Sequence, residues 1–262
     1  MLKTLEEQNG YNTTIKDIAG IGDITLLYDF LSDQNSVSDN SETLQSTTTT
    51  LGVRTEKTTS KVLWAIKKTL LVYYGEEHKE LITDLFNKDI PSEDKSFIFF
   101  WHFALMNKLF RDISVNVFSK IYYSGRVSIS QDDIIPYIKE IKGEDGQPLW
   151  SDSTIYRLAT KYLSLMTKLN FVEIGRIKSF KHIRPSSEVQ ILFLYISKLY
   201  ASESRNLLNN KLLPLSFIPI EDLNNRLKKL SLKGYFNMDF NGVKLNIELT
   251  HKYKGICDAL YN

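Results

Sequence analysis

The chain has 262 residues and a mass of 30.3 kDa, enough for one large domain or two small ones, each with its own core. Hydrophobic residues make up 42% and charged residues 24%, as in an ordinary globular protein; a single cysteine, Cys257, excludes an intrachain disulfide and a cysteine zinc cluster and fits a reducing, cytoplasmic setting. The net charge of +2 hides an asymmetry: residues 1–149 carry −6, residues 150–185 carry +5 and residues 186–262 carry +3, a distribution that points weakly to a polyanionic partner.

Residues 1–12 are polar, read as disordered, and lack the basic-then-apolar pattern of a secretory leader. Ile15 to Leu31 is dense in apolar residues and predicts a helix with a break near Gly20 and Gly22. Residues 32–60 contain 14 Ser or Thr, a composition that cannot bury a core alone, so 32–57 is expected to be largely flexible, ending in a helix start at "RTEKTTS". From Ser60, Val62, Leu63, Ile66, Leu70 and Tyr73 recur at helical spacing, with Lys61, Lys67 and Lys68 off that stripe. Glu77 to Phe86 predicts a short helix, Pro91-Ser92 opens another through Phe110, and Ile113 to Tyr123 continues in the same style. The run from Phe97 to Phe110 is shorter than the roughly 20 residues needed to span a bilayer and holds His102, Asn107 and Lys108, so it reads as a buried core helix and no membrane partner is expected. This half predicts a helical bundle.

Ser124-Gly125-Arg126 is a turn, "VSIS" suggests a short strand, and Ser130 caps a helix over about 131–141. After the loop "KGEDGQP", Ser151 or Asp152 caps a helix whose apolar stripe is Ile155, Leu158, Ala159, Tyr162, Leu163, Met166 and Leu169. Asn170 fits its C-terminus. "FVEI" and "FKHI" then alternate like strands on either side of "GRIKS". Helix, helix, helix, hairpin is the order of a winged helix-turn-helix unit. A similar unit follows: a helix from Glu188 to Tyr200, a stretch broken by Pro214 and Pro219, a helix from Glu221 to Leu232, and alternating runs from Tyr235 to Phe240 and Val243 to Leu249 around Asn241-Gly242. The expected fold is therefore mainly α, a helical bundle over 1–123 followed by winged-helix-like units with small β-hairpins over 124–186 and 187–262.

No phosphate loop, dinucleotide fingerprint, paired-histidine zinc motif or nucleophile elbow is present in the sequence. The four histidines, His78, His102, His182 and His251, are widely spaced, and the adjacent carboxylates Asp132-Asp133 and Glu76-Glu77 do not face each other on a helix. The expectation is a protein that binds, with no catalytic residues, no cofactor and no metal. Between Arg157 and Arg184 stand seven basic residues against one acidic residue, Glu173. Arg157 and Lys161 share a helix face, and Ser153, Thr154 and Arg157 occupy the first turns, where a recognition helix meets bases and phosphates. Arg176 and Lys178 sit at the tip of the hairpin, in reach of phosphate or the minor groove, with Lys181 and Arg184 following. Double-stranded DNA is the expected partner. The alternatives are a solvated basic face, a protein-docking module or an RNA-binding bundle. Lys228, Lys229 and Lys233 offer a secondary phosphate patch.

At "LWSDSTIYRLATKYLSLMTKLNFVEIG" the chain resembles the BrxA family of BREX phage-defence systems, in which a Trp-Ser-x-Ser-Thr segment opens a helix leading to a hairpin. Trp150, Ser151, Ser153, Thr154, Arg157, Leu158, Tyr162, Leu163 and Leu169 occupy those places. "LFRDISVNVFSKIYYSGRVSISQDDIIPYI" is similar to the family's stretch of helix, loop and acidic helix start, and "TEKTTSKVLWAIKKTL" resembles its basic N-terminal helix, with Lys61, Lys67 and Lys68 as the matching cations. The resemblance spans about 15–250. Asn170 departs from a common glycine, and the Ser/Thr tract at 41–50 looks like an addition. The resemblance implies a non-enzymatic BREX component with a helical N-terminal domain and winged-helix character, able to bind DNA, with Lys61 and Lys68 joining the DNA-binding set and other BREX proteins as partners.

Overall fold

A computed structural model describes residues 10–32, 55–200 and 206–261. In chain order the helices are α1 (Ile15–Ile18), α2 (Thr25–Ser32), α3 (Glu56–Thr69), α4 (Glu76–Asn87), α5 (Ser92–Met106), α6 (Lys108–Ile113) and α7 (Ser119–Tyr123), with a π-helical turn over Ser114–Phe118. Then come β1 (Ser128–Ile129), α8 (Gln131–Lys139), α9 (Asp152–Lys168), β2 (Lys178–Ser179), α10 (Ser187–Tyr200), α11 (Ile220–Ser231), β3 (Phe236–Phe240), β4 (Leu245–Leu249) and α12 (Tyr253–Tyr261). The fold is mainly helical with two small antiparallel two-stranded sheets. The flexibility expected of 1–12 and 32–57 falls mostly outside the described residues; Ser32 closes α2, and Glu56 and Lys57 already belong to α3.

The chain forms two compact units, one from 1–72 and 103–182, the other from 73–102 and 183–262. Both are assembled from non-consecutive stretches of the chain. Composition and turn signals mark local breaks and carry no information on which distant stretches pack together.

In the first unit, α9 presents Ile155, Leu158, Ala159, Tyr162, Leu163, Leu165 and Met166 to the core, all buried. Burial of each of Ile155, Leu158, Leu163, Leu165 and Met166 contributes roughly 1.5–3 kcal/mol. Tyr162 packs between Phe110 and Phe118 at ring separations of 5.3 and 6.5 Å, and its hydroxyl meets Ser114 Oγ at 3.0 Å inside the π-helical turn. The helix expected to run on through Phe110 breaks at Asn107. This residue is fully buried, has extended backbone, and accepts the Phe110 N–H at 2.8 Å. Its amide donates to Asn12 Oδ1 and Thr14 Oγ1 at 3.0 and 2.8 Å, which ties the segment leading into α1 to the head of α6.

In the second unit, Trp101 packs at a tilt against Phe193, ring centroids 5.2 Å apart, and donates its indole N–H to the Leu215 carbonyl at 2.9 Å. β3 and β4 pair as expected, but the turn centres on Gly242-Val243, one residue beyond Asn241-Gly242. Phe240 pairs with Leu245, and Asn241 accepts the Val243 and Lys244 N–H groups through its own side chain. Gly242, at φ +89°, supplies the left-handed backbone that the first turn position requires.

Candidate nucleic-acid interface

α7, β1, α8 and α9 lead into a short hairpin. Ser130 heads α8, with its backbone N–H donating to Asp133 Oδ2 at 2.7 Å, and Arg126 grips the same carboxylate at 2.7 and 3.1 Å. That pair holds the Asp133 carboxyl below its usual range even against the opposing effect of burial. Ser151 stands at the N-cap of α9, but its hydroxyl meets Ser153 Oγ and Thr154 Oγ1 at 3.2 and 3.1 Å and makes no cap bond to the backbone. Asp152 in the first turn is engaged by Lys139 at 2.8 Å. α9 ends on Asn170 at φ +66°: Asn170 N–H donates to the Thr167 carbonyl and Phe171 N–H to that of Met166, a Schellman closure that turns the chain into the hairpin. Val172 bridges Phe180 within the hairpin, and β2 pairs with β1 in the register Ser128 with Ser179 and Ile129 with Lys178. Phe180 anchors the base, edge-on to Phe118 and Tyr122 at 5.3 and 5.4 Å.

Ser153, Arg157, Lys161 and Ser164 follow one another along α9 at three- and four-residue spacing, the first two exposed and the last two half-buried. Thr160, Ser164 and Thr167 line a groove of about 760 Å³ together with Ser130, Asp132, Arg176 and Lys178. α1 packs against α9 and carries Asp17. Half-burial pushes its carboxyl above the usual range, and the charges of Lys16, Lys61 and Lys161 pull it back. Lys61 on α3 and Lys161 on α9 thus act on one carboxylate from two helices. Lys68, two turns from Lys61 on α3, lies over the ring of Trp64 at 4.7 Å. Among the described residues no carboxylate stands at ion-pair distance from Arg157, Lys161, Arg176 or Lys178.

Other cations of the basic segment are engaged inside the protein. Lys168 donates to the Ala19 carbonyl at 2.9 Å and to that of Ile21, closing the C-terminal end of α1. Burial and the neighbouring Lys161 push its pKa down. Lys181 donates to Asn170 Oδ1 and faces Glu173 at 3.9 Å. Arg184 is exposed and belongs to the other unit, where Lys228 and Lys229 are also exposed and Lys233 pairs with Glu188 at 2.6 Å.

Sequence reasoning missed the wall formed by Ser130, Gln131 and Asp132 at the head of α8, because their approach to α9 leaves no trace in local spacing. It also missed a contact between two histidines in the second unit. Tyr74 N–H donates to His78 Nδ1 at 3.2 Å, so His78 Nε2 carries the proton and donates to His102 Nδ1 at 3.1 Å. Both rings are fully buried. Among the described residues no three His, Cys, Asp or Glu side chains gather as metal ligands. Burial pushes the Cys257 thiol up to about 12, so it is not a nucleophile at neutral pH. No described helix is long and apolar enough to cross a membrane.

Residues 29–194, from α2 into α10, match the family described as BrxA. The chain belongs to the BrxA family. Membership implies a component of a BREX phage-defence system and points to other BREX proteins as partners. Comparison of this family member with curated proteins and with solved structures returns no match.

Proposed function

We propose that this BrxA-family chain is a non-enzymatic, cytoplasmic double-stranded DNA-binding component of its BREX system, acting through a winged helix and mainly through phosphate contacts. The observation that carries the reading is that Arg157, Lys161, Arg176 and Lys178, on α9 and the hairpin after it, have no carboxylate at ion-pair distance among the described residues. On α9 Arg157 is exposed and Lys161 half-buried, Arg176 and Lys178 share a groove with hydroxyls of α9 and with Asp132, and the charges of Lys61 and Lys161 both act on Asp17. The order of helices, β1 and hairpin supports the winged-helix reading, with α9 as the helix that enters the major groove. Ser153, Thr154 and Arg157 stand at its leading end; Lys68 extends the cationic face along α3.

The binding needs no sequence code, because phosphate contacts position a protein without reading bases. Competition among duplex DNA, single-stranded DNA and RNA of matched length tests it: duplex is the strongest competitor under this reading, and a preference for RNA or single strands overturns it.

A second reading, a protein–protein adaptor within the same assembly, is favoured by Ile220 and Leu232, which stand 65% and 86% exposed on and just beyond α11. Partners retained after nuclease treatment, together with no duplex shift by the pure protein, would select it.

A further inference from the structure

The hairpin that follows α9 buries its base and leaves its tip apolar. Phe171 and Val172 are buried at the base. At the tip, Ile174 and Ile177 are 88% and 71% exposed, and Ile174 is the most exposed large hydrophobic residue among those described. Val127 is also exposed, beside the hairpin, where its carbonyl accepts the Phe180 N–H at 2.9 Å. Neither isoleucine adds appreciably to core burial, yet both are branched, apolar and held on a tip whose root is fixed by β1 and the Phe180 ring contacts.

The charges around the tip select among occupants. Arg176 lies between the two isoleucines and Lys178 follows the second, while Glu173 on the opposite strand faces Lys181. A second copy of the chain packed tip to tip would bring Arg176 and Lys178 against themselves. A nucleic-acid duplex offers both chemistries the tip needs: phosphates for the cations, and base steps that accept an apolar side chain when they unstack. Pyrimidine–purine steps yield most readily, and a narrow minor groove draws an arginine.

We propose that the tip at 174–177 enters the minor groove beside the major groove occupied by α9. There Ile174 and Ile177 wedge into a flexible base step, Arg176 lies along the groove, and the duplex bends. The inference rests on the duplex-binding reading above and adds to it a place of insertion and a deformation of the DNA.

The test uses the full chain and a short G·C-rich duplex with one central TA step, whose adenine is replaced by 2-aminopurine, and with a fluorophore pair at its ends. Saturating protein is expected to raise the 2-aminopurine fluorescence several-fold and to shorten the end-to-end distance. The double variant Ile174→Ser/Ile177→Ser is expected to keep the wild-type melting curve and salt dependence, to bind within about threefold of wild type, and to lose both signals. Duplex binding without either signal, or a variant that keeps both, overturns the wedge and leaves the duplex reading standing. Absence of any duplex binding overturns both. Self-association of the free protein that the double variant abolishes assigns the tip to a second copy and also overturns the wedge.

Discussion

At the scale of single residues, two buried polar groups set testable limits on stability. His78 is fully buried, and desolvation together with the neighbouring His102 holds its pKa well below 6.5. An unfolded imidazole titrates near 6.5, so below that pH the unfolded chain takes up a proton that the folded chain refuses. The stabilisation is therefore complete above about pH 7 and lost as pH falls through the unfolded value, with a slope of about 1.4 kcal/mol per pH unit. Thermal unfolding followed by circular dichroism should show a midpoint that is flat above neutrality and falls by about 3–5 °C per unit between pH 6.5 and 5, and His78→Asn should flatten that fall. Asn107 is the second group. Asn107→Ala removes the cap of α6 and the bonds to Asn12 and Thr14, and should cost about 2–3 kcal/mol, read as a drop of roughly 5–10 °C in the melting midpoint.

At the scale of elements, α9 and its exit into the hairpin fix where the cations point. Asn170 at φ +66° accepts the left-handed turn that a branched side chain resists. Asn170→Gly should leave the melting midpoint nearly unchanged, while Asn170→Val should lower stability by about 1–2 kcal/mol and weaken duplex binding, because the hairpin would no longer leave α9 at the same angle. Much of this architecture is legible in the sequence. The apolar stripe of α9, the Ser130 cap and the two hairpins follow from periodicity and turn chemistry. The break at Asn107 is not legible, because a polar residue inside an apolar run becomes a cap only once Asn12 and Thr14 are seen beside it. β1 and β2 are two residues each, too short for alternation to reveal their pairing. α12 escaped because Lys254 and Gly255 are non-helical within it, so its helical pattern is interrupted near the start.

At the scale of the molecule, the excess of positive charge after Trp150 is readable from composition, but its deployment is not. Lys168 and Lys181 belong to the same basic run as Arg157 and Arg176, yet they spend their donors on Ala19, Ile21 and Asn170. Lys61 is distant in sequence and acts with Lys161 on Asp17. Long-range partners of this kind leave no trace in local spacing.

Phosphate neutralisation by about four to six cations predicts that the logarithm of the duplex binding constant falls with the logarithm of salt concentration at a slope of about −4 to −5. Salt titration of duplex binding by the wild type and by Arg176→Glu/Lys178→Glu is the most direct measurement. The account predicts that slope for the wild type, and for the variant a shallower slope with weaker binding to every duplex alike. Binding indifferent to salt, or a variant indistinguishable from wild type, would contradict it.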